Sequence, residues 1–219
     1  MHTQVLIVAA PGRGPRIECV GGVAARRTAP DTVHLVSTAA TPLGGDTIDV
    51  RVIVAAGARL RVRSVAAMMV LPGAATTRSR SSWDLEVAGE LDLDPEPTVI
   101  AGGSSHQATT RLQIADEGRV RLRERVQVGR SGEQHGFWEG ALNVDCDALP
   151  VVRHRVELGA GAVSDDEIAA PRAYVSEFLY PESDFGVIRN AERYESRRDQ
   201  VVMALADGGC LSAWQGPRL

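Results

Sequence analysis

From Arg119 to Val128 the chain alternates without a break. Arg119, Arg121, Arg123, Arg125 and Gln127 fall on one side, and Val120, Leu122, Glu124, Val126 and Val128 on the other. A period of two sustained over this length is what an extended strand with one buried face requires, and no helix presents it. The apolar row has one anomaly, Glu124. An unpaired carboxylate in such a row costs roughly several kcal/mol unless it is protonated, paired, hydrogen-bonded or beside water. Two readings compete. In one, Glu124 is tied to Arg130 or Arg111 as a structural pair. In the other it faces an internal, wet passage, where its oxygens are open to a passing cation.

The unit around this strand recurs. Strand 109–115, turn 116–118 and strand 119–128 repeat the design of strand 47–54, turn 55–58 and strand 59–65, and Val152 to Leu158 with turn 159–161 begins it again. Gly57, Gly118 and Gly161 are unequally spaced, so this is no fixed-period array. The pattern predicts a hairpin-like module reused with unequal insertions, in an antiparallel-rich all-β domain of stacked sheets. Further strands are expected at Thr3–Ala10, Arg16–Val20, Val33–Ser37, Trp83–Val87 and Gly89–Leu93. Residues 70–82 read as a long loop, 188–199 as a short helix and 201–214 as a closing hairpin. Residues 1–219 are long enough for a single domain with one substantial core. Aromatics make up only 4% of the chain, so that core rests on Val, Leu, Ile and Ala.

Several classes of function are disfavoured. A net charge of -4 argues against a nucleic-acid partner, and all the basic residues are Arg. No run of about 18 apolar residues offers a membrane span, and the first residues lack the basic leading segment of a secretory signal. Cys19, Cys146 and Cys210 are dispersed, which suits a reducing compartment, so a cytoplasmic location is expected. No Gly-x-Ser-x-Gly stretch is present, and Gly102-Gly103-Ser104-Ser105 has neither a Lys nor a helical pattern behind it. His135 and Glu139 have helical spacing, but Gly132, Gly136 and Gly140 disfavour a helix there. His154 shares a side with Val152, Val156 and Leu158 and reads as a hydrogen-bonded core residue. Cys146 lies between Asp145 and Asp147, neighbours that disfavour a reactive thiolate; a transient soft site for a divalent ion is the alternative.

Two blocks carry a family resemblance. The first is Gly44-Gly45-Asp46, the alternating residues 47–54, and the turn Gly57-Ala58. The second is Glu124, Gly129-Arg130, Gly132-Glu133, the aromatic pair Phe137-Trp138 and Gly140. In this order they resemble the urease accessory proteins UreD, also called UreH. The chain departs from the family pattern at Arg63–Met69, where a Thr-Thr-Gln run is usual, and at Leu93–Pro97, where an aromatic-Leu-Pro-Gln segment is usual. The segment before the Gly-Gly-Asp turn is abbreviated, and a C-terminal helical tail is missing or very short.

The resemblance implies an all-β fold of stacked sheets with a helical, solenoid-like course and at most one or two short helices. It implies a non-enzymatic role in urease maturation: a scaffold that joins UreF and the GTPase UreG, docks on apo-urease and assists nickel insertion. No resident cofactor is implied, only transient nickel. Glu124 and Glu133 are then the residues expected beside the nickel route, with Asp46 and His135 as further candidates. Hard oxygen ligands would hold such an ion loosely enough to release it. Two alternatives remain. One is a β-rich carbohydrate-active enzyme using Glu124 and Glu133, which needs carboxylates about 5–9.5 Å apart in an aromatic-lined groove. The other is a metal-free protein-binding scaffold with Met68-Met69-Val70-Leu71 as an exposed patch, unless those residues continue a core strand.

Overall fold

Small residues at the strand ends determine the architecture. The computed structural model describes residues 1–115, 117–133, 135–166, 170–181, 200–205 and 208–219. Among them every regular element is a strand, in the order β1 (His2–Ala9), β2 (Arg16–Val20), β3 (Val23–Ala29), β4 (Thr32–Ser37), β5 (Thr47–Val54), β6 (Arg59–Ser64), β7 (Met68–Val70), β8 (Arg78–Val87) and β9 (Glu90–Leu93). Then follow β10 (Thr98–Ile100), β11 (Ser105–Ile114), β12 (Arg119–Val128), β13 (Phe137–Cys146), β14 (Leu149–Gly159), β15 (Ala173–Tyr180), β16 (Val201–Ala204) and β17 (Cys210–Gly216). The short helix expected over 188–199 lies outside the described residues.

The two strands of each repeated module belong to different sheets. One sheet runs β14-β13-β11-β8-β5-β1-β2; the other runs β16-β17-β15-β12-β9-β6-β4-β3, with β10 beside β12 and β7 beside β10. The chain therefore climbs as a solenoid of about four turns, crossing from sheet to sheet at each corner. Thr47, Arg80, Gln107 and Glu139 lie side by side on successive turns. This confirms an all-β, stacked, solenoid-like course and corrects the expected strand direction. The middle of both sheets is parallel, from β1 through β13 and from β4 through β12; antiparallel pairing is confined to the ends. A hairpin and a corner both need a short glycine-bearing turn between alternating strands, so the modules read as hairpins when they are corners.

Main-chain bonds stack the corners on one another. Ala55 donates to Ala9 O, Ala88 to Val54 O, Ala115 to Val87 O, and Asp147 to Ile114 O, all at 2.8 to 3.0 Å. Backbones approach so closely that a Cβ on Gly89 would meet the carbonyl oxygens of Ala55 and Ala58, and one on Gly118 those of Val87 and Ala115. The Ala-Ala-Gly-Ala, Ala-Gly and Gly residues at these corners are thus steric requirements.

Side chains from the two sheets meet in two apolar clusters. The larger holds Val52, Val54, Leu85 and Leu112 from one sheet against Leu60, Val62, Leu91 and Leu122 from the other. The smaller gathers around Trp138, Val126, Val128 and Leu158. Outer faces carry ion pairs that cross neighbouring strands, such as Arg51 with Glu86 and Arg155 with Glu139. Where these faces are wet, as at Arg51, Arg59 and Arg119, they explain the alternation in strands that pair in parallel. Two boundaries differ from expectation. The expected strand Trp83–Val87 begins earlier, at Arg78 inside the expected loop 70–82, because the backbone pairs with β5 and β11 on both sides. Met68–Val70 is also strand, with Val70 fully buried and Met69 exposed. Gly89→Ala is expected to lower stability by about 1–3 kcal/mol, because its methyl group meets main chain that cannot yield. Thermal unfolding against the parent checks this.

Candidate functional site

While β15 stays paired along one side, β12 loses its neighbour on the other for three residues. Its ladder with β9 ends at Leu122↔Leu93, and its ladder with β10 resumes at Val126↔Thr98. In between, Asp94-Pro95-Glu96-Pro97 arches away, since its two prolines have no N–H to give to a ladder. The next position in the sheet repeats the break: β6 ends at Ser64, β7 begins at Met68, and Val65, Ala66 and Ala67 between them are exposed. The two arches are laced together, Glu96 N–H donating to Ser64 Oγ at 2.8 Å and Met68 N–H to Pro97 O at 2.9 Å. Together they leave a slot through the sheet at the level of Glu124.

Behind the slot lies a cavity of about 250 Å³ between the sheets. Exposed Val65, Ala66 and Glu96 line its outer part, and buried Trp138, His106 and Val50 its inner part. The two apolar clusters stand on either side, with Leu122 in one and Val126 in the other. Glu124, between them in sequence, lines the cavity.

No hydrogen bond or ion pair reaches the Glu124 carboxylate among the described residues, and burial pushes its pKa up from the usual 4.5 to about 7. Its side chain keeps partial exposure only because it borders the cavity. Neither arginine considered as its partner is paired with it: Arg130 binds Glu133, and Arg111 binds Asp84 at 3.3 Å. A cavity of this size holds several waters, which lowers the cost of burying a carboxylate without abolishing it. Near neutral pH the group is therefore divided between its acid and carboxylate forms.

His106 shares this cavity and was not singled out in the sequence. Its ring bridges two serine hydroxyls, Ser79 at Nδ1 (2.8 Å) and Ser81 at Nε2 (3.0 Å). Burial lowers its pKa to about 4, so the ring is neutral at pH 7. Its parity with Leu112 and Ile114 on β11 marked it as inward-facing. Beyond Trp138, whose indole occupies the space left by the missing side chain of Gly140, lies Tyr174, with ring centroids 5.5 Å apart. The Tyr174 hydroxyl meets His154 Nε2 at 3.1 Å, so His154 is hydrogen-bonded as the sequence predicted. Burial, with a contribution from the Glu124 charge, holds the Tyr174 hydroxyl in its protonated form.

The other sequence-predicted residues lie apart from Glu124. Asp46 is buried in its turn, where it accepts from the N-terminal ammonium, from Thr41 Oγ1 at 2.9 Å and from Leu43 N–H at 2.9 Å. Burial raises its pKa, but these donors outweigh burial and leave it lowered. Glu133 clamps its own loop. It accepts from Arg130 Nε at 2.8 Å, Arg130 N–H at 3.0 Å and Gly102 N–H at 2.8 Å, and the Arg130 guanidinium first, then the Gly102 and Arg130 N–H groups, lower its pKa to about 2. It borders a separate surface hollow with Arg172 and Pro217, so it does not share a cleft with Glu124. His135 is exposed, and its carbonyl accepts from Gly103 N–H at 3.2 Å. Cys146 is buried, its thiol 3.1 Å from Tyr180 Oη. Among the described residues no three His, Cys, Asp or Glu side chains are gathered as a closed metal site.

Residues 23–213 match the family model for the UreD urease accessory protein. The chain belongs to the UreD family. UreD of Frankia casuarinae is 43% identical over an alignment covering 95% of this chain and 71% of that protein. UreD 1 of Saccharopolyspora erythraea is 38% identical, covering 71% of this chain and 60% of its own length. UreD of Frankia alni is 49% identical over 52% of this chain and 39% of its own. The chain thus spans less than two thirds of some of the UreD relatives it matches.

The raised pKa of Glu124 has a definite sign in stability. An unfolded carboxyl titrates near 4.5, whereas the native group keeps its proton to about 7. Across that window the native state binds more protons, so stability falls as pH rises from about 4.5 to about 7 and then levels. Glu124→Gln is expected to remove this slope and to be more stable than the parent at pH 8 by up to about 3 kcal/mol. Urea denaturation at pH 5 and pH 8 measures both quantities.

Proposed function

We propose that this chain is a non-catalytic scaffold in urease maturation, one that joins UreF and UreG in the cytoplasm, binds apo-urease and assists nickel insertion. Membership of the UreD urease accessory protein family supports the maturation role. The passage reading is carried by one observation: Glu124 lies unpaired in a cavity that a slot in the sheet connects to the surface. Nickel is cargo on this reading. A lone hard carboxylate in a hydrated cavity replaces one water of a hydrated cation and gives it up again, which suits transit better than storage.

Glu124 is the proposed ligand on the route. Glu133, Asp46 and His135 remain further candidates, though the carboxylates of Glu133 and Asp46 already accept the bonds described above. The inward ring of His106 is neutral and adds no repulsion to a cation there. Co-expression of the chain with urease subunits, UreF and UreG in nickel tests the reading. Urease activity is expected to depend on the chain. Glu124→Gln is expected to lower activation about tenfold while the complex still co-purifies. Equal maturation without the chain would overturn the role, and undiminished activation by Glu124→Gln would remove the passage from it.

A further inference from the structure

The outer lip of the slot concentrates positive charge where a cation would enter. Arg123 and Arg125 flank Glu124 in sequence, so they project from the opposite face of β12, beside the opening. Asp94, at the start of the arch, lies between them. One of its oxygens accepts from Arg123 Nη1 at 3.1 Å and the other from Arg125 Nη2 at 2.7 Å. Arg125 Nη2 also donates to Pro95 O at 2.5 Å, which fixes the guanidinium against the arch. The two arginines are not equally provided for. Arg123 has a second acid, Glu177, at 3.4 Å, and Glu177 also serves Arg121 at 2.8 Å. For Arg125, Asp94 is the only carboxylate within ion-pair distance among the described residues. Asp94 itself is fixed by its own N–H, which donates to Val62 O at 3.0 Å.

We infer that Asp94 is a specificity-determining residue of the slot: it neutralises Arg125 and Arg123 at the lip, so that a divalent cation reaches Glu124 without passing an uncompensated positive charge. This inference rests on the passage reading above. The consequence is electrostatic. Without the Asp94 charge, Arg125 becomes a bare cation at the rim, and a divalent ion passing within slot dimensions is disfavoured about tenfold even in an aqueous dielectric. The same residue that anchors the arch therefore sets which sign of charge the opening admits.

The test uses the full chain assembled with UreF, UreG and apo-urease, and follows nickel incorporated into urease over time, with Glu124→Gln as reference. Asp94→Asn is expected to slow incorporation about tenfold. Adding Arg125→Gln to Asp94→Asn is expected to restore it, because the uncompensated cation is gone. Ala66→Arg places a positive charge on the exposed opposite rim without touching the clamp. It is expected to slow incorporation similarly, with the melting temperature and co-purification unchanged. Slow transfer in Asp94→Asn with unaffected Ala66→Arg, or a double variant slower than Asp94→Asn, would mean that Asp94 only braces the arch. Normal rates in Asp94→Asn and Ala66→Arg beside a slow Glu124→Gln overturn the inference and leave the passage standing. Normal rates in all three remove the passage as well.

Discussion

The structure depends on the main-chain bonds between stacked corners. Each corner donates to the carbonyl of the turn below, from Ala9 through Val54 and Val87 to Ile114. This contact permits no bulk, which is why Ala and Gly gather there. Once the corners are in register the strands that leave them must be parallel and must alternate between sheets. The apolar rows then face each other across the interior without any helix to cover them. Burial of each large aliphatic side chain contributes roughly 1.5–3 kcal/mol, but these gains are available only because the corners place the rows opposite one another.

Partway along the second sheet a looser rule applies. There the strands break at 65–67 and 94–97, and the sheet opens beside Glu124. The break, the cavity and the carboxylate explain each other. A buried acid needs water, water needs space and an entrance, and the entrance exists because two arches leave the ladder at the same height. The arginine row on the outer face is held in place by Asp92, Asp94 and Glu177, so the lip combines order with a near balance of charge. Stability is given up at Glu124 in exchange for a polar point inside an otherwise apolar core.

Much of this was legible in the sequence. The alternation at 119–128 and 47–54 gave strands with the correct buried face, and the odd placement of Glu124 in the apolar row pointed to a residue that lines the cavity. The parallel direction was not legible, because period-two patterning records which face is buried and not which strand lies alongside. His106 was missed for a related reason: an inward histidine among Ala108 and Thr110 looks unremarkable until Ser79 and Ser81 arrive from a strand some 25 residues earlier. Glu133 and Asp46 became candidates through the family resemblance alone; in the structure their carboxylates accept from Arg130 and Gly102 in one case and from Thr41 and Leu43 in the other, partners that sequence patterning does not reveal. The interruption Asp94-Pro95-Glu96-Pro97 stood out in the sequence only as a departure from the family pattern, although its importance lies in breaking a sheet.

The contrast between the corners and the arches has a consequence for how such a chain tolerates change in length. At the corners every residue is counted, because adding one would rotate the following strand and turn its apolar row outward. At the arches the count is less strict, because the backbone has already left the ladder. The fold therefore resembles a spiral binding with stiff turns and one slack stretch, and the opening to the interior lies on that stretch, where its width can change without disturbing the turns.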